Sequence, residues 1–331
     1  MKHRANVKHL SCLLSLIVWF LPCPVALAIV DANSRSNTNA PSDGSPWASA
    51  GQVSVGGSTY LGAGWVLTAT HVGPGTVNFG GTNFAWDGTT AVRLTNSSGS
   101  SNDLYMFKLK TLPPLPRMPL TTTTPAASSQ VDMLGFGYIS GSAETSFVSG
   151  LGFSWSSTTV KSWGNNKVAG GTTSIDVGEG PVTCFTMDFS ATSQTSDEAQ
   201  ASNGDSGGGV FFKSGSTWEL AGMLLYISEL QSQPANTSLF GDVTYAANIA
   251  TYYPQIEALL TNTVPTLSIS RSTTNFVLSW ADTGVAWTLA SSHNPATTNW
   301  TVLSPSLTLT NGQYYALVPD TNSCTFFRLQ R

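Results

Sequence analysis

Gly204-Asp205-Ser206-Gly207-Gly208-Gly209 is the stretch that decides how this chain is read. A serine nucleophile must stand on a sharp turn with its oxygen exposed. Gly204 and the run Gly207 to Gly209 remove the side chains that would obstruct such a turn. In that conformation the backbone N–H groups of Gly204 and Ser206 can point into one concavity and stabilise a developing oxyanion. The chain has 31 glycines, so a Gly/Ser turn of this kind acquires meaning only from its partners.

The first partner lies upstream. Gly64-Trp65-Val66-Leu67-Thr68-Ala69-Thr70-His71-Val72 contains an apolar, β-branched run that reads as a buried strand with His71 at its end. A base delivered from a strand end is held rigidly, as proton transfer requires. His71 is the only histidine between residue 29 and the Ser206 region. The second partner is Asp103, which opens the apolar run Leu104-Tyr105-Met106-Phe107-Lys108-Leu109 after a polar loop. A carboxylate there can accept a hydrogen bond from His71 and fix the imidazole tautomer. Asp87, in the turn Trp86-Asp87-Gly88, is the other candidate for that role.

These segments resemble the trypsin/chymotrypsin-like serine peptidase family. The family's histidine follows a Leu-Thr-Ala-x-His strand end, its aspartate opens an Asp-Leu strand, and its serine sits in Gly-Asp-Ser-Gly-Gly. Here they occur in that order, as His71, Asp103 and Ser206. Val131 to Gly137 is similar to the opening of the family's second barrel, and Trp218 to Tyr226 to its substrate-binding strand. Tyr252 to Leu260 resembles its C-terminal helix, with Pro254 in the first turn and Ile256, Leu259 and Leu260 on one face. The resemblance covers about residues 29 to 260. It implies an all-β fold of two packed six-stranded antiparallel barrels with a C-terminal helix. It also implies Ser206 as nucleophile, His71 as general base and acid, Asp103 as orienting carboxylate, and the N–H groups of Gly204 and Ser206 as oxyanion hole.

The same resemblance assigns further residues. Gln200, six positions before the serine, stands at the base of the primary pocket, where an aspartate would select Arg or Lys. Leu225, Tyr226 and Ile227 take the place of Ser-Trp-Gly on the binding strand, and bulk at Ile227 points to small or apolar side chains. In the family a new N-terminal ammonium group pairs with the aspartate before the serine, here Asp205. Ile29-Val30 would supply that group if cleavage occurs after Ala28; a plain strand start is the alternative reading of the two residues.

Composition sets the compartment. Lys2, Arg4 and Lys8 precede an apolar run from Leu10 to Leu21, and Ala26-Leu27-Ala28 supplies small residues for cleavage. Residues 1–28 therefore read as a signal peptide, too short in its apolar run to span a bilayer. Of 14 basic and 18 acidic residues the signal takes three basic and no acidic ones, which leaves a mature chain at −7. With only 10% charged residues, nucleic acid and anionic membranes are poor partners. Only Cys184, Cys324, His71 and His293 remain after residue 28. No disulfide framework, metal site or cofactor is expected from them.

After a linker at 261–265, residues 266–331 read as a small β-sandwich. Leu267/Ile269, Phe276/Leu278/Trp280, Trp287/Leu289 and Leu307/Leu309 alternate with polar residues, and Asn311-Gly312 is a hairpin turn signal. Its layout resembles fibronectin-III or immunoglobulin-like modules, for which surface or polymer binding and a spacer role are both open. The expectation is a secreted, monomeric serine endopeptidase acting on protein or peptide substrates. Its rivals are an inactive homologue that only binds and an extracellular adhesin.

Overall fold

The structure is a computed structural model that describes residues 29–331, except 36, 142–143 and 322–323. The signal-peptide reading of 1–28 lies outside the described residues. No helix among them is long and apolar enough to cross a membrane.

Two antiparallel sheets carry the larger part of the chain, and each has seven strands rather than the six expected. In the first, Gly56–Gly62, Trp65–Ala69 and Ser101–Leu109 are central neighbours, flanked by Ala50–Val53 and Trp86–Thr95. The additional strand comes from a short hairpin, Val77–Phe79 with Thr82–Phe84, which extends one edge. Trp65–Ala69 is buried along its whole length because its two faces meet different cores. Trp65, Leu67 and Ala69 pack with Leu61, Leu104 and Met106. Val66 packs with Val53, Tyr60, Val77 and Phe107. A side chain such as Leu67, wholly enclosed, contributes about 1.5–3 kcal/mol by leaving water. An unbroken apolar run is therefore what this strand requires.

The second sheet pairs Gln130–Gly135 with Ser162–Lys167 on one side and Gly209–Ser214 on the other. It continues through Thr217–Ser228, Val243–Asn248 and Pro181–Asp188 to Thr173–Asp176. Val131, Met133, Phe185, Met187, Val210 and Leu224 form its own core. Leu134, Phe211, Leu220 and Met223 face the opposite way and merge with the core of the first barrel. The two barrels thus share one apolar interface. A helix, Ile249–Thr261, starts three residues before the expected Tyr252, so Pro254 lies inside it rather than in its first turn. Its buried positions, Ile249, Tyr252, Ile256 and Leu260, have the spacing of one helical face.

Beyond the helix a four-stranded sheet (Ser268–Arg271, Asn275–Ala281, Gln313–Pro319, Leu307–Thr310) faces a three-stranded one (Thr301–Val302, Thr288–Ser292, Phe326–Gln330). Leu278, Trp280, Leu289 and Ala316 fill the space between them. Asn311 and Gly312 both have positive φ, +50° and +72°, as the tight turn between paired Thr310 and Gln313 demands. This sandwich sits against the first barrel. Ala281 joins the large shared core, and Trp65 Nε1 donates to Thr263 Oγ1 at 2.7 Å. Cys184 is buried, Cys324 exposed, and neither is bridged.

Gly312 fixes part of this seat. A Cβ there would lie 2.3 Å from the carbonyl oxygen of Leu115. Gly312→Ala is expected to destabilise the protein by about 1–3 kcal/mol through overlap and the left-handed φ. Thermal unfolding measures it, and an unchanged midpoint would show that the sandwich does not bear on that loop.

Candidate active site

The site assembles from both barrels. On the first, the strand Trp65–Ala69 ends beside the start of Ser101–Leu109, where Ala69 pairs with Leu104. The Thr70 N–H donates to the Asp103 carbonyl at 3.2 Å, and Thr70 Oγ1 donates to the Asn102 carbonyl at 3.2 Å. These bonds leave His71 directly over the Asp103 carboxylate. The His71 backbone N–H donates to Oδ1 at 3.1 Å, and Nδ1 lies 2.7 Å from Oδ2. Asp103 is wholly enclosed, whereas the His71 side chain keeps 35% of its surface. Asp87 is engaged elsewhere: its Oδ1 accepts from the N–H groups of Thr89 and Thr90, a turn role.

Asp103 governs the charge of the imidazole. Its hydrogen bond raises the His71 pKa above the ordinary 6.5, against the opposing effect of burial, and Glu179 adds a further push upward. With Nδ1–H given to Asp103, Nε2 is the nitrogen left to accept a proton.

On the second barrel, Gly204 to Gly208 form the turn that precedes the strand Gly209–Ser214. The N–H groups of Asp205, Gly207 and Gly208 are spent on the carbonyls of Ser202, Leu224 and Asp205. Those of Gly204 and Ser206 donate to no backbone carbonyl among the described residues. Gly204 has φ +92°, a conformation that leaves the turn to glycine.

At the serine turn the start of the strand Gly56–Gly62 joins the halves. The Gly57 N–H donates to the Ser206 carbonyl at 2.8 Å, and Thr68 Oγ1 donates to the Gly57 carbonyl at 2.8 Å. The approach is so close that a Cβ at Gly57 would lie 2.7 Å from the Gly208 nitrogen. A Cβ at neighbouring Gly56 would touch both Val72 and the Ser206 carbonyl, within 2.9 Å of each. The residue after His71 and the backbone of Ser206 therefore converge on one glycine. Ser206 Oγ has no hydrogen bond among the described residues, so the serine–imidazole contact is open here. Such contacts often close only when substrate binds.

Ser206 borders a cavity of about 450 Å³ walled by Ala201 to Asn203 and by Leu224 to Leu230. Leu225, Tyr226 and Ile227 line it. Gln200 does not: it is fully enclosed and pairs with Val30 in a two-residue bridge. Sequence reading also passed over Gly56, Gly57, Thr68, Ser202 and Glu229. A Gly-Gly pair after Ser54-Val55 looks like an ordinary turn, and nothing local marks it as a contact with another barrel.

Asp205 is completely enclosed. Its Oδ1 accepts from the Gly137 N–H at 2.7 Å, and its Oδ2 accepts from the Ser202 N–H at 2.7 Å and Ser202 Oγ at 3.0 Å. Burial nevertheless pushes its pKa up to about 6. Ile29 is buried close by. A Cβ at Gly135 would meet Asp205 Oδ1 at 2.0 Å and Ile29 Cδ1 at 2.9 Å. Among the described residues no cluster of three or more His, Cys, Asp or Glu could hold a metal ion.

Two barrels that join a histidine–carboxylate pair to a glycine-bound serine turn define a serine-peptidase fold. Residues 34–250 match the family model described as Trypsin, and the chain belongs to that family. Among solved structures it is similar to Rv3671c from M. tuberculosis H37Rv, a serine-to-alanine mutant in its inactive form. That likeness has 16% identity and a TM-score of 0.44, and covers 72% of this chain and 100% of the other. No curated protein matches the chain.

The raised His71 pKa yields a direct check. In an NMR pH titration, the His71 imidazole is expected to deprotonate above the ordinary 6.5. Asp103→Asn removes the main cause, so the midpoint should fall. An unmoved midpoint would mean that Asp103 does not set the charge of the ring.

Proposed function

We propose that this protein is a secreted serine endopeptidase in which Ser206, His71 and Asp103 act as one catalytic unit. The observation that carries the reading is the 2.7 Å contact between His71 Nδ1 and an enclosed Asp103, set beside a serine turn that the first barrel holds by the backbone of Gly57.

In this reading Ser206 Oγ attacks the carbonyl carbon of a peptide bond while His71 Nε2 takes its proton. Asp103 holds the ring and stabilises the imidazolium without being protonated itself. The oxyanion settles against the N–H groups of Gly204 and Ser206. Collapse of this intermediate breaks the C–N bond, and Nε2 returns the proton to the leaving amine. Water then repeats the sequence on the acyl-enzyme, gives its proton to Nε2 and releases the acid and free Ser206. Membership of the Trypsin family favours peptide substrates over other acyl compounds.

Cleavage of a signal peptide after Ala28 would place a new ammonium group on Ile29. Two observations favour that start. Ile29 is buried beside Asp205, a carboxyl enclosed with no cationic partner among the described residues and pushed up to about 6. Ile29 also has φ +55°, which costs a β-branched residue about 1–3 kcal/mol. Cleavage removes the preceding residue and with it that constraint. A cation beside Asp205 would lower the carboxyl pKa, and the pair would then stabilise the serine turn.

Residues 266–331 are read as an appended module joined through 261–265. It meets the first barrel near Lys108 and Leu112. Asp103 stands five residues before Lys108 on the same strand, or about 17 Å away at 3.4 Å per residue. The module therefore leaves the catalytic end of the barrel free.

Ser206→Ala is expected to fold normally, with an unchanged unfolding midpoint, and to lose peptide hydrolysis by a factor of about 10³ or more. Turnover persisting in that variant would refute the assignment. N-terminal sequencing of the secreted protein is expected to read Ile-Val-Asp; another start would remove the pairing of Ile29 with Asp205.

A further inference from the structure

The cavity beside Ser206 is electrically one-sided. Of the side chains that line it, Glu229 alone carries a formal charge, and no Lys, Arg or His is among them. Glu229 directly follows the strand Thr217–Ser228, whose residues Leu225 to Ser228 form the same wall. It is exposed, and it enters no ion pair or hydrogen bond among the described residues.

Its position is held from behind. Asp242 has no exposed surface. Its Oδ1 accepts from the Leu230 N–H at 3.2 Å, and its Oδ2 accepts from the Leu239 N–H and from Gln233 Nε2, each at 2.8 Å. Gln233 Oε1 closes the loop by accepting from the same Leu230 N–H at 2.9 Å. These bonds anchor the backbone of the residue after Glu229, so Glu229 itself is held in the cavity wall. Asp242 also adds a second negative charge. Partial burial and the Asp242 charge together raise the Glu229 pKa. A positive group arriving there would oppose both effects.

We propose that Glu229 is a specificity-determining residue that favours peptides with a Lys or Arg side chain next to the bond cut at Ser206 and disfavours Asp or Glu there. The inference rests on the peptidase reading above. It differs from the small or apolar preference suggested by the bulk of Ile227, because a cavity of about 450 Å³ leaves room for a long side chain. The charge stands at the open wall and not at the enclosed, neutral Gln200. An exposed carboxylate discriminates modestly, by about 2–5-fold near 0.15 M salt and by more as the salt is lowered.

The test compares kcat/KM for two peptides that differ only in Lys or Gln before the cleaved bond. Wild type should favour Lys by about 2–5-fold, with a ratio that grows at low ionic strength. The ratio should also fall on acidification, beginning above the usual glutamate range because the Glu229 pKa is raised. Glu229→Gln should bring the ratio to about 1, and Glu229→Lys should turn it toward a peptide carrying Glu. Each ratio is internal to one variant, so partial misfolding does not alter it. A wild-type ratio of 1, or a preference that survives Glu229→Gln, would overturn the proposal while leaving the peptidase reading in place. Failure of wild type to cleave any peptide or to react with a fluorophosphonate would overturn both.

Discussion

The 2.8 Å hydrogen bond from the Gly57 N–H to the Ser206 carbonyl is the contact on which the rest of the structure depends. Histidine and carboxylate belong to one barrel and the serine to the other, so no local geometry brings them together. The shared apolar core supplies most of the attraction between barrels, but the hydrophobic effect has no direction. Register comes from the backbone approach at Gly56 and Gly57, where a single methyl group on either residue would strike the opposing chain. Thr68, inside the very strand that delivers His71, holds the Gly57 carbonyl from the other side. One strand thus positions His71 and the seam against which Ser206 rests.

Charged groups buried around the seam serve two purposes. His71 is tuned by Asp103, the carboxylate enclosed and the imidazole half exposed. Lys161, by contrast, is driven down to about 7 by burial and donates to the carbonyls of Trp47 and Ala50. There, just before the strand Ser162–Lys167, it ties Trp47 and the first residue of the strand Ala50–Val53 to the second barrel. Asp132, pushed up to about 8 by burial and then by Asp43, lies on the strand that also pairs with Gly209–Ser214. Perturbed ionisation in this protein thus occurs at Lys161 and Asp132 as well as at His71.

Much of this was legible in the sequence because the responsible signals are local. The apolar run before His71 codes for a strand buried on both faces, and the glycines around Ser206 code for a turn that few other residues permit. Asn311-Gly312 specifies its hairpin in the same way. What was missed depends on partners distant along the chain. The hairpin at 77–84 is short, and its second strand is largely exposed, so it has little apolar pattern to read. The helix begins early because the strand Val243–Asn248 leads straight into it, with Asn248 serving as both last strand residue and N-cap, so that one asparagine is the local mark of the change. Gln200 falls outside the cavity because its strand pairs with Val30. That pairing is invisible until both ends of the barrel domain are placed.

The central claim is that the fold activates one particular alcohol out of many. The most direct measurement is reaction of the folded protein with a fluorophosphonate, followed by mass spectrometry of the modified peptide. The account predicts a single adduct on Ser206 and its loss in His71→Ala, because an unactivated serine does not react. An unmodified Ser206 in the correctly processed wild type, or equal modification without His71, would contradict it.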